Sequence, residues 1–373
     1  MKKLPIGIQT FREIIEGGYL YADKTRFVYN LLTGVKCYFL SRPRRFGKSL
    51  LLDTIAEVFG GNRALFRGLW IDGTDYDFQN YPVIRLDMST MTTKDADALE
   101  QSIMDRLCVL CKAEGIEIES SLLSSVFLGL IEGLHKKYGR RVAVLVDEYD
   151  KPVLDYILDT EIADANRQVI KNFFGVLKGM DAHLRFTFFT GVSKFTKTSL
   201  FSELNNLTDI TLEDDFAAIC GFTAQDITEL FNEHLAALRA QKQFAQWPAN
   251  GEGSVYDQIF KWYDGYSWDG ETHVFNPFSL LQFFQNRRFS SYWYASGSPS
   301  FLIKLIKDNP AAYTDMDQAM INEDDLDATA DLTRLSPVSL MFQTGYLTVK
   351  AIEWDSNGSA DYYLKTPNRE VRA

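Results

Sequence analysis

Two hydrophobic patterns alternate along the first part of the chain. Mainly apolar runs of the kind found in buried strands lie at residues 38–40, 82–87, 142–146 and 184–193, with a candidate edge strand at residues 209–212. Between them, apolar residues recur at three- and four-residue steps, which is typical of amphipathic helices; these are predicted at residues 94–113, 121–138 and 165–179. Strands that alternate with helices predict an α/β fold with a parallel sheet flanked by helices.

From residue 223 the pattern becomes mainly helical, beginning with an amphipathic helix at residues 223–240 that Thr223 caps. Residues 301–335 read as helices alternating with acidic turns, and residues 346–352 and 361–364 as a hairpin. A chain of 373 residues exceeds the usual size of a single core. We therefore predict a domain of residues 1–215, beginning with a helical lead-in, and a mainly helical domain of residues 216–373 ending in a small β element.

The first strand runs directly into a loop and a helix that suit phosphate binding. Residues 42–49 read R-P-R-R-F-G-K-S, which matches the Walker A pattern except that Arg42 replaces its first glycine. Glycine allows close approach of a phosphate, lysine supplies charge, and serine offers a hydroxyl to Mg²⁺. The predicted nucleotide-binding residues are Arg44, Arg45, Phe46, Gly47, Lys48, Ser49 and Leu50. The alternative is that G-K-S merely begins a helix.

The strand at residues 142–146 ends in Asp147 and Glu148, at the edge where open α/β sheets bind ligands. This resembles a Walker B strand, in which Asp147 and Ser49 would hold Mg²⁺ and Glu148 would polarise the attacking water. The alternative is an acidic strand end facing solvent.

Two further positions are candidates for nucleotide contact. Thr190 or Ser193, at the end of the next strand, would sense the γ-phosphate, or would simply cap a turn. Tyr21 or Phe27, ahead of the first strand, would stack on the base, or would belong to an aromatic core.

Composition and charge bear on three further properties, namely nucleic-acid binding, zinc binding and location in the cell. A net charge of −11 does not favour nonspecific nucleic-acid binding, although residues 42–48 form a local basic patch. Cys108 and Cys111 have C-x-x-C spacing, but without a second pair we expect buried thiols rather than zinc. With no signal peptide, disulfide pattern or membrane-length apolar run, the sequence predicts a cytoplasmic protein without a membrane span.

Together these motifs resemble those of a bacterial family of AAA-ATPase-like proteins. The resemblance covers nearly the whole chain, and in this family an arginine at position 42 is ordinary. It implies an ASCE-type P-loop core followed by a helical, winged-helix-like C-terminal portion. Besides R-P-R-R-F-G-K-S, it rests on L-P-I-G at 4–7, Y-A-D-K-T at 21–25, D-E-Y-D-K-P at 147–152, T-G-V-S-K-F at 190–195, L-N-N-L at 204–207, W-Y-D-G-Y at 262–266 and N-P-F at 276–278.

Proteins of this kind commonly continue into a PD-(D/E)XK nuclease-like domain. This chain stops at about the point where that domain would begin, and residues 213–373 contain no D…E-x-K set that we would assign to a nuclease. Nuclease activity is therefore not predicted, and an attached or separate effector and an oligomer are left open as partners.

The leading hypothesis is Mg²⁺-dependent binding and hydrolysis of ATP that regulates or powers an effector. Lys48, Glu148 and Thr190 are its predicted catalytic residues, and an extra cation is expected. That cation could come from Arg44, Arg45, Arg85 or Arg167, or from a neighbouring subunit. Two alternatives are a slow ATP-dependent switch with little turnover and a DNA-binding module that uses the arginines of residues 42–45.

Overall fold

A five-stranded parallel sheet forms the centre of the first part of the chain. The computed structural model describes residues 1–194, 206–297, 319–322 and 336–373. The strands are β1 (Cys37–Ser41), β2 (Val83–Asp87), β3 (Val142–Asp147), β4 (Leu184–Gly191) and β5 (Thr208–Asp209). Their spatial order is β2-β3-β4-β1-β5, so β4 separates β1 from β3. The predicted parallel sheet is confirmed.

The register of the strands brings the predicted site motifs together. β1 and β3 are buried along their whole length, as their continuous apolar runs require. Leu40 lies opposite Thr190, and Val146 lies opposite Phe189 on the other side of β4. Because all the strands run in one direction, the ends of β1, β3 and β4 meet at the same edge of the sheet.

Seven helices of the described residues accompany this sheet: α1 (Phe11–Glu16), α2 (Thr25–Thr33), α3 (Lys48–Phe59), α4 (Ala96–Glu114), α5 (Leu123–Tyr138), α6 (Lys151–Leu154) and α7 (Thr160–Gly175). The starts of α4 and α7 follow capping residues rather than the apolar period. Asp95 accepts a hydrogen bond from the backbone of Ala98 and delays the start of α4 to Ala96. Asp159 caps α7 in the same way, so that the helix begins at Thr160, five residues before the predicted start at residue 165.

The second part of the chain contains the helices α8 (Ala224–Leu230), α9 (Asn232–Arg239), α10 (Val255–Tyr263), α11 (Pro277–Asn286), α12 (Tyr292–Gly297), α13 (Pro337–Thr344) and α14 (Arg369–Arg372). The prediction of a single helix at residues 223–240 is wrong in one respect, since the structure has two helices there. Thr223 caps the first, as predicted, but Phe231 leaves the helical conformation at φ −104°. Its fully buried ring packs on Phe222 and Phe284, and this packing outweighs helical continuity.

A small antiparallel sheet follows, with strands β6 (Met320–Asn322), β7 (Thr348–Trp354) and β8 (Ala360–Lys365) in the order β6-β8-β7. The predicted hairpin is confirmed, and its turn closes where Gly358 donates to the carbonyl of Asp355. The short strand β6 was not predicted. It lies in the segment of residues 301–335, of which only residues 319–322 are described.

Hydrophobic packing joins the two parts of the chain. The core around the parallel sheet also contains Tyr266, Trp268 and Trp293, which belong to the second part. A second core around Phe231 takes in Leu20 from the N-terminal segment. The division at residue 215 stays a prediction, and any movement of one part against the other must disturb these shared cores.

Candidate functional site

A cleft of about 440 Å³ opens at the edge of the sheet where β1 and β3 end. Its walls also come from the N-terminal segment, through Ile8 and Tyr21, and from the second part of the chain, through Phe222 and Phe278. The predicted residues that line it are Arg44, Arg45, Phe46, Gly47, Lys48, Ser49, Leu50 and Glu148. The cleft is therefore lined both by charged groups and by apolar and aromatic groups.

Gly47 and Lys48 form the turn from the loop into α3. Gly47 has φ +94°, and a Cβ built on it would meet no atom within 4 Å, so the backbone there faces open space. Lys48 is buried, and its Nζ donates to the carbonyl oxygens of Arg42 at 2.8 Å and Pro43 at 3.1 Å. The loop thus holds an ammonium group beside an accessible stretch of backbone, which suits an anion.

Arg42 is fully buried. Its guanidinium donates to the carbonyls of Ser41, Thr211 and Phe216, and its charged carbon lies 3.9 Å from the ring centre of Trp268. Burial lowers the pKa of Arg42 to about 10, so the group stays charged near neutral pH. The arginine that replaces the first Walker A glycine is therefore an anchor of the loop, and the DNA-binding alternative loses one of the three arginines it would use.

The rest of the loop also faces the second part of the chain. Phe46 is buried, with its ring at right angles to those of Tyr266 and Trp268. The guanidinium of Arg45 lies 4.9 Å from the ring centre of Phe278, and the carbonyl of Arg44 accepts a hydrogen bond from the indole of Trp293. Phe46, predicted to bind nucleotide, therefore directs its side chain into a core, although the residue also borders the cleft.

Gly345 gives a test of this packing. It ends α13 in the left-handed conformation, at φ +91°, and a Cβ there would come within 2.8 Å of Pro43. We expect Gly345→Ala to lower the free energy of unfolding by about 2–4 kcal/mol, because left-handed strain and overpacking add. The measurement is urea unfolding at constant m-value.

Gly139 is a matched control, since it ends α5 at φ +61° and a Cβ added there would meet no atom within 4 Å. Gly139→Ala should cost only the backbone strain, about 1 kcal/mol. Equal losses for the two substitutions would show that the Pro43 contact contributes nothing.

Asp147 and Thr190 meet at the ends of β3 and β4. The hydroxyl of Thr190 donates to Oδ1 of Asp147 at 2.6 Å, and the backbone of Glu148 donates to the same oxygen at 3.1 Å. Among the described residues, no hydrogen bond reaches the other carboxylate oxygen, Oδ2. Thr190 is fully buried and does not line the cleft, so its hydroxyl orients Asp147.

Glu148 lines the cleft and has a left-handed backbone, at φ +48°. This conformation is uncommon for a residue with a side chain, and such strain clusters at functional sites. Burial raises the pKa of Glu148; Asp147 and Asp150 raise it further, while Lys48 and Arg44 oppose them. A carboxylate whose pKa lies above its ordinary value is a stronger base once it is deprotonated.

Ser193, the second candidate sensor, is engaged elsewhere. Its hydroxyl and backbone both donate to Oδ2 of Asp150, at 2.7 and 2.6 Å, and the backbone of Val192 donates to the same carboxylate. Burial raises the pKa of Asp150, and the hydroxyl and backbone donors of Ser193 oppose that shift. The arrangement fixes the turn after β4, which is the capping role that the sequence left open for Ser193.

The sequence over residues 5–201 matches a family described as predicted AAA-ATPases, which is more than half of the chain. The chain belongs to this AAA-ATPase-like family. A relative in Azotobacter chroococcum mcd 1, described as an uncharacterized protein in the vnfD 5′ region, is 43% identical over 374 residues. That alignment covers all of this AAA-ATPase-like chain and 69% of the relative.

The structure of the Aeropyrum pernix ORC2 protein, solved as ADPNP and ADP complexes, is similar over 95% of this AAA-ATPase-like chain and 93% of its own. The identity is 10% and the TM-score is 0.35, so no residue roles are carried across.

The AAA-ATPase-like site includes residues that motif reasoning missed. Trp268, Trp293 and Phe278 contact the loop, yet they lie far from it along the chain. Phe278 belongs to the N-P-F motif at 276–278, but nothing in the sequence linked this residue or the two tryptophans to the loop. Of the two aromatic candidates for the base, Tyr21 lines the cleft and Phe27 does not.

The cysteines of this AAA-ATPase-like chain differ in exposure. Cys108 is exposed, so the expectation of two buried thiols is wrong for it, while Cys111 is buried. The reason is that α4 turns only one face to the core, and position 108 lies off that face.

Within the described ranges, no group of three or more His, Cys, Asp or Glu side chains has the arrangement of a metal site. A search of the same residues finds no helix with both the length and the apolarity needed to cross a membrane.

Proposed function

We propose that this chain binds ATP with Mg²⁺ and hydrolyses it at the cleft between the phosphate loop and β3. The observation that carries this proposal is that one cleft is lined by an open glycine turn, Lys48, Ser49 and Glu148, with Asp147 at the adjoining strand end. Each of these groups comes from the end of a parallel strand or the start of the helix behind it. This is where anions bind in such folds.

The residues present fit a nucleotide phosphate. The space beside Gly47 would admit phosphate oxygens to the backbone N–H groups that begin α3. Lys48 would exchange the two carbonyl oxygens that its ammonium now contacts for phosphate oxygens. Arg44 and Arg45 also line the cleft and could add positive charge there.

The donor set also fits Mg²⁺, a hard cation that prefers oxygen. The Ser49 hydroxyl would be a direct ligand, and Oδ2 of Asp147 would act through water. When bound, Mg²⁺ would neutralise charge on the phosphate oxygens. Thr190 would serve by holding the Asp147 carboxylate through its 2.6 Å hydrogen bond, as a positioning residue.

Glu148 would orient and deprotonate the attacking water. It lines the cleft next to the Mg²⁺ residues, and burial raises its pKa. The wall formed by Ile8, Tyr21, Phe222 and Phe278 would exclude water and receive the base. We further propose that the chain acts in the cytoplasm and regulates or powers an effector there. Because the cleft is built from both parts of the chain, nucleotide binding would affect both parts.

Ligand-induced stabilisation tests the binding step. We expect MgATP at about a hundred times its dissociation constant to raise the free energy of unfolding by about 2.7 kcal/mol. EDTA should remove most of this gain, because Ser49 and Asp147 would then have no Mg²⁺ to bind. The measurement is thermal unfolding with MgATP, ATP plus EDTA, and MgCl₂ alone. If no magnesium nucleotide at millimolar concentration moves the midpoint, the proposed function is wrong.

A further inference from the structure

The phosphate loop is in contact with the C-terminal end of the chain through one tryptophan. Trp293 is fully buried in α12, and its indole Nε1 donates to the carbonyl of Arg44 at 3.2 Å. Its backbone N–H donates to Oε1 of Glu370 in α14 at 2.7 Å. A single residue thus bridges the loop at residues 42–49 and the segment of residues 366–372, which we call the tail segment.

The bond to Arg44 has a specific consequence for the loop. A peptide group is planar and trans, so its carbonyl and the next N–H point in opposite directions. When the indole holds the carbonyl of Arg44, it also fixes the direction of the N–H of Arg45. Arg45 has a left-handed backbone, at φ +71°, and lines the cleft. The conformation that a phosphate would meet is therefore set in part by Trp293.

Further hydrogen bonds hold the tail segment against the second part of the chain. Asn368 caps α14 and donates to the carbonyl of Asp264, and Arg369 donates to Gln258 in α10. Glu370 is buried, which raises its pKa to about 7. Glutamine is accordingly a close substitute for its protonated form and keeps an oxygen to accept from Trp293.

We propose that Trp293 is a positioning residue of the phosphate loop, and that through Trp293 the tail segment responds to nucleotide in the cleft. The proposal rests on the proposed nucleotide site. The coupling must be reciprocal, because a ligand that favours one loop conformation favours the tail contacts that go with it. Loss of the hydrogen bond between Trp293 and Glu370 would weaken nucleotide binding, and bound nucleotide would protect the tail segment.

Hydrogen–deuterium exchange and nucleotide titration test the proposal on the whole chain. With a non-hydrolysable ATP analogue and Mg²⁺, we expect slower exchange both at residues 42–50 and in the tail segment. Trp293→Phe keeps a ring but removes the indole donor. It should weaken analogue binding about fivefold, the effect of one ordinary hydrogen bond, and abolish the protection of the tail segment. Trp262→Phe is the control, since Trp262 packs on Tyr263 and Phe289 within the second part.

A second pair of variants keeps the test independent of the folding of Trp293→Phe. Glu370→Ala should weaken analogue binding several-fold, and Glu370→Gln should restore it to within about twofold of the original chain, as retention of the acceptor predicts. If the analogue protects residues 42–50 but leaves the tail segment unchanged, or if both Trp293→Phe and Glu370→Ala bind normally, this inference is overturned and the nucleotide site stands. If residues 42–50 are not protected at all, the proposed function fails instead.

Discussion

Lys48→Ala is expected to weaken MgATP binding at least about a hundredfold. The ammonium of Lys48 is buried in the loop, and its two present acceptors, the carbonyls of Arg42 and Pro43, lie at 2.8 and 3.1 Å. A charge-assisted hydrogen bond contributes about 1.5–3 kcal/mol, and phosphate would accept more than one such bond. Alanine would leave the phosphate charge without its main partner. Equilibrium titration with a fluorescent ATP analogue measures the change.

Lys151→Ala is the matched control for Lys48. Lys151 also lines the cleft, but its ammonium is already paired with Asp155 in the first turn after β3. We expect Lys151→Ala to change the affinity less than about threefold, as for an exposed pair. Both variants must keep the far-ultraviolet circular dichroism of the original chain. Unchanged affinity in a folded Lys48→Ala chain would rule out this cleft as the nucleotide site.

Glu148→Gln should lower ATP turnover at least about a hundredfold while changing MgATP affinity only a few-fold. The amide keeps the size and the hydrogen-bonding reach of the side chain but cannot accept a proton from water. General base catalysis typically contributes 10²–10⁴-fold, so the loss falls on the chemical step. Single-turnover hydrolysis and a separate binding titration distinguish the two effects.

The pH dependence of the original chain gives an independent check on Glu148. Burial is the main cause that raises its pKa, so the carboxylate is protonated up to a higher pH than an ordinary glutamate. The rate should fall on the acidic side, beginning above the usual range for glutamate, and this limb should be absent in the residual activity of Glu148→Gln. Slow turnover that Glu148→Gln leaves unchanged, in a protein that retains nucleotide on purification, would favour the switch over the working ATPase.

Much of the fold was predictable because its signals are local. The apolar runs at residues 38–40 and 142–146 could be buried only as central strands, and both strands lie where predicted. The helix at residues 223–240 shows the limit of such signals. Its periodicity is continuous through Phe231, yet the buried contacts of that ring with Phe222 and Phe284 break it into two helices.

The order of residues along the chain was enough to predict which side chains meet at the edge of the sheet. Lys48 and Ser49 follow one strand, Asp147 and Glu148 follow another, and parallel strands end together whatever the rest of the chain does. Neighbouring residues encode such patterns, so a single sequence is enough to find them.

The role of each group at that edge depended on contacts between distant parts of the chain. Folding buried Arg42 on Thr211 and Phe216, directed the Thr190 hydroxyl to Asp147, and placed Trp293 against the carbonyl of Arg44. The bond from Arg42 to Thr211 spans 169 residues of sequence, and the bond from Trp293 to Arg44 spans 249. A pattern of apolar and polar positions tells which faces are buried but not which buried faces meet, because many pairings remove similar apolar area from water. Specific packing chose among them, and it placed the loop against the second part of the chain.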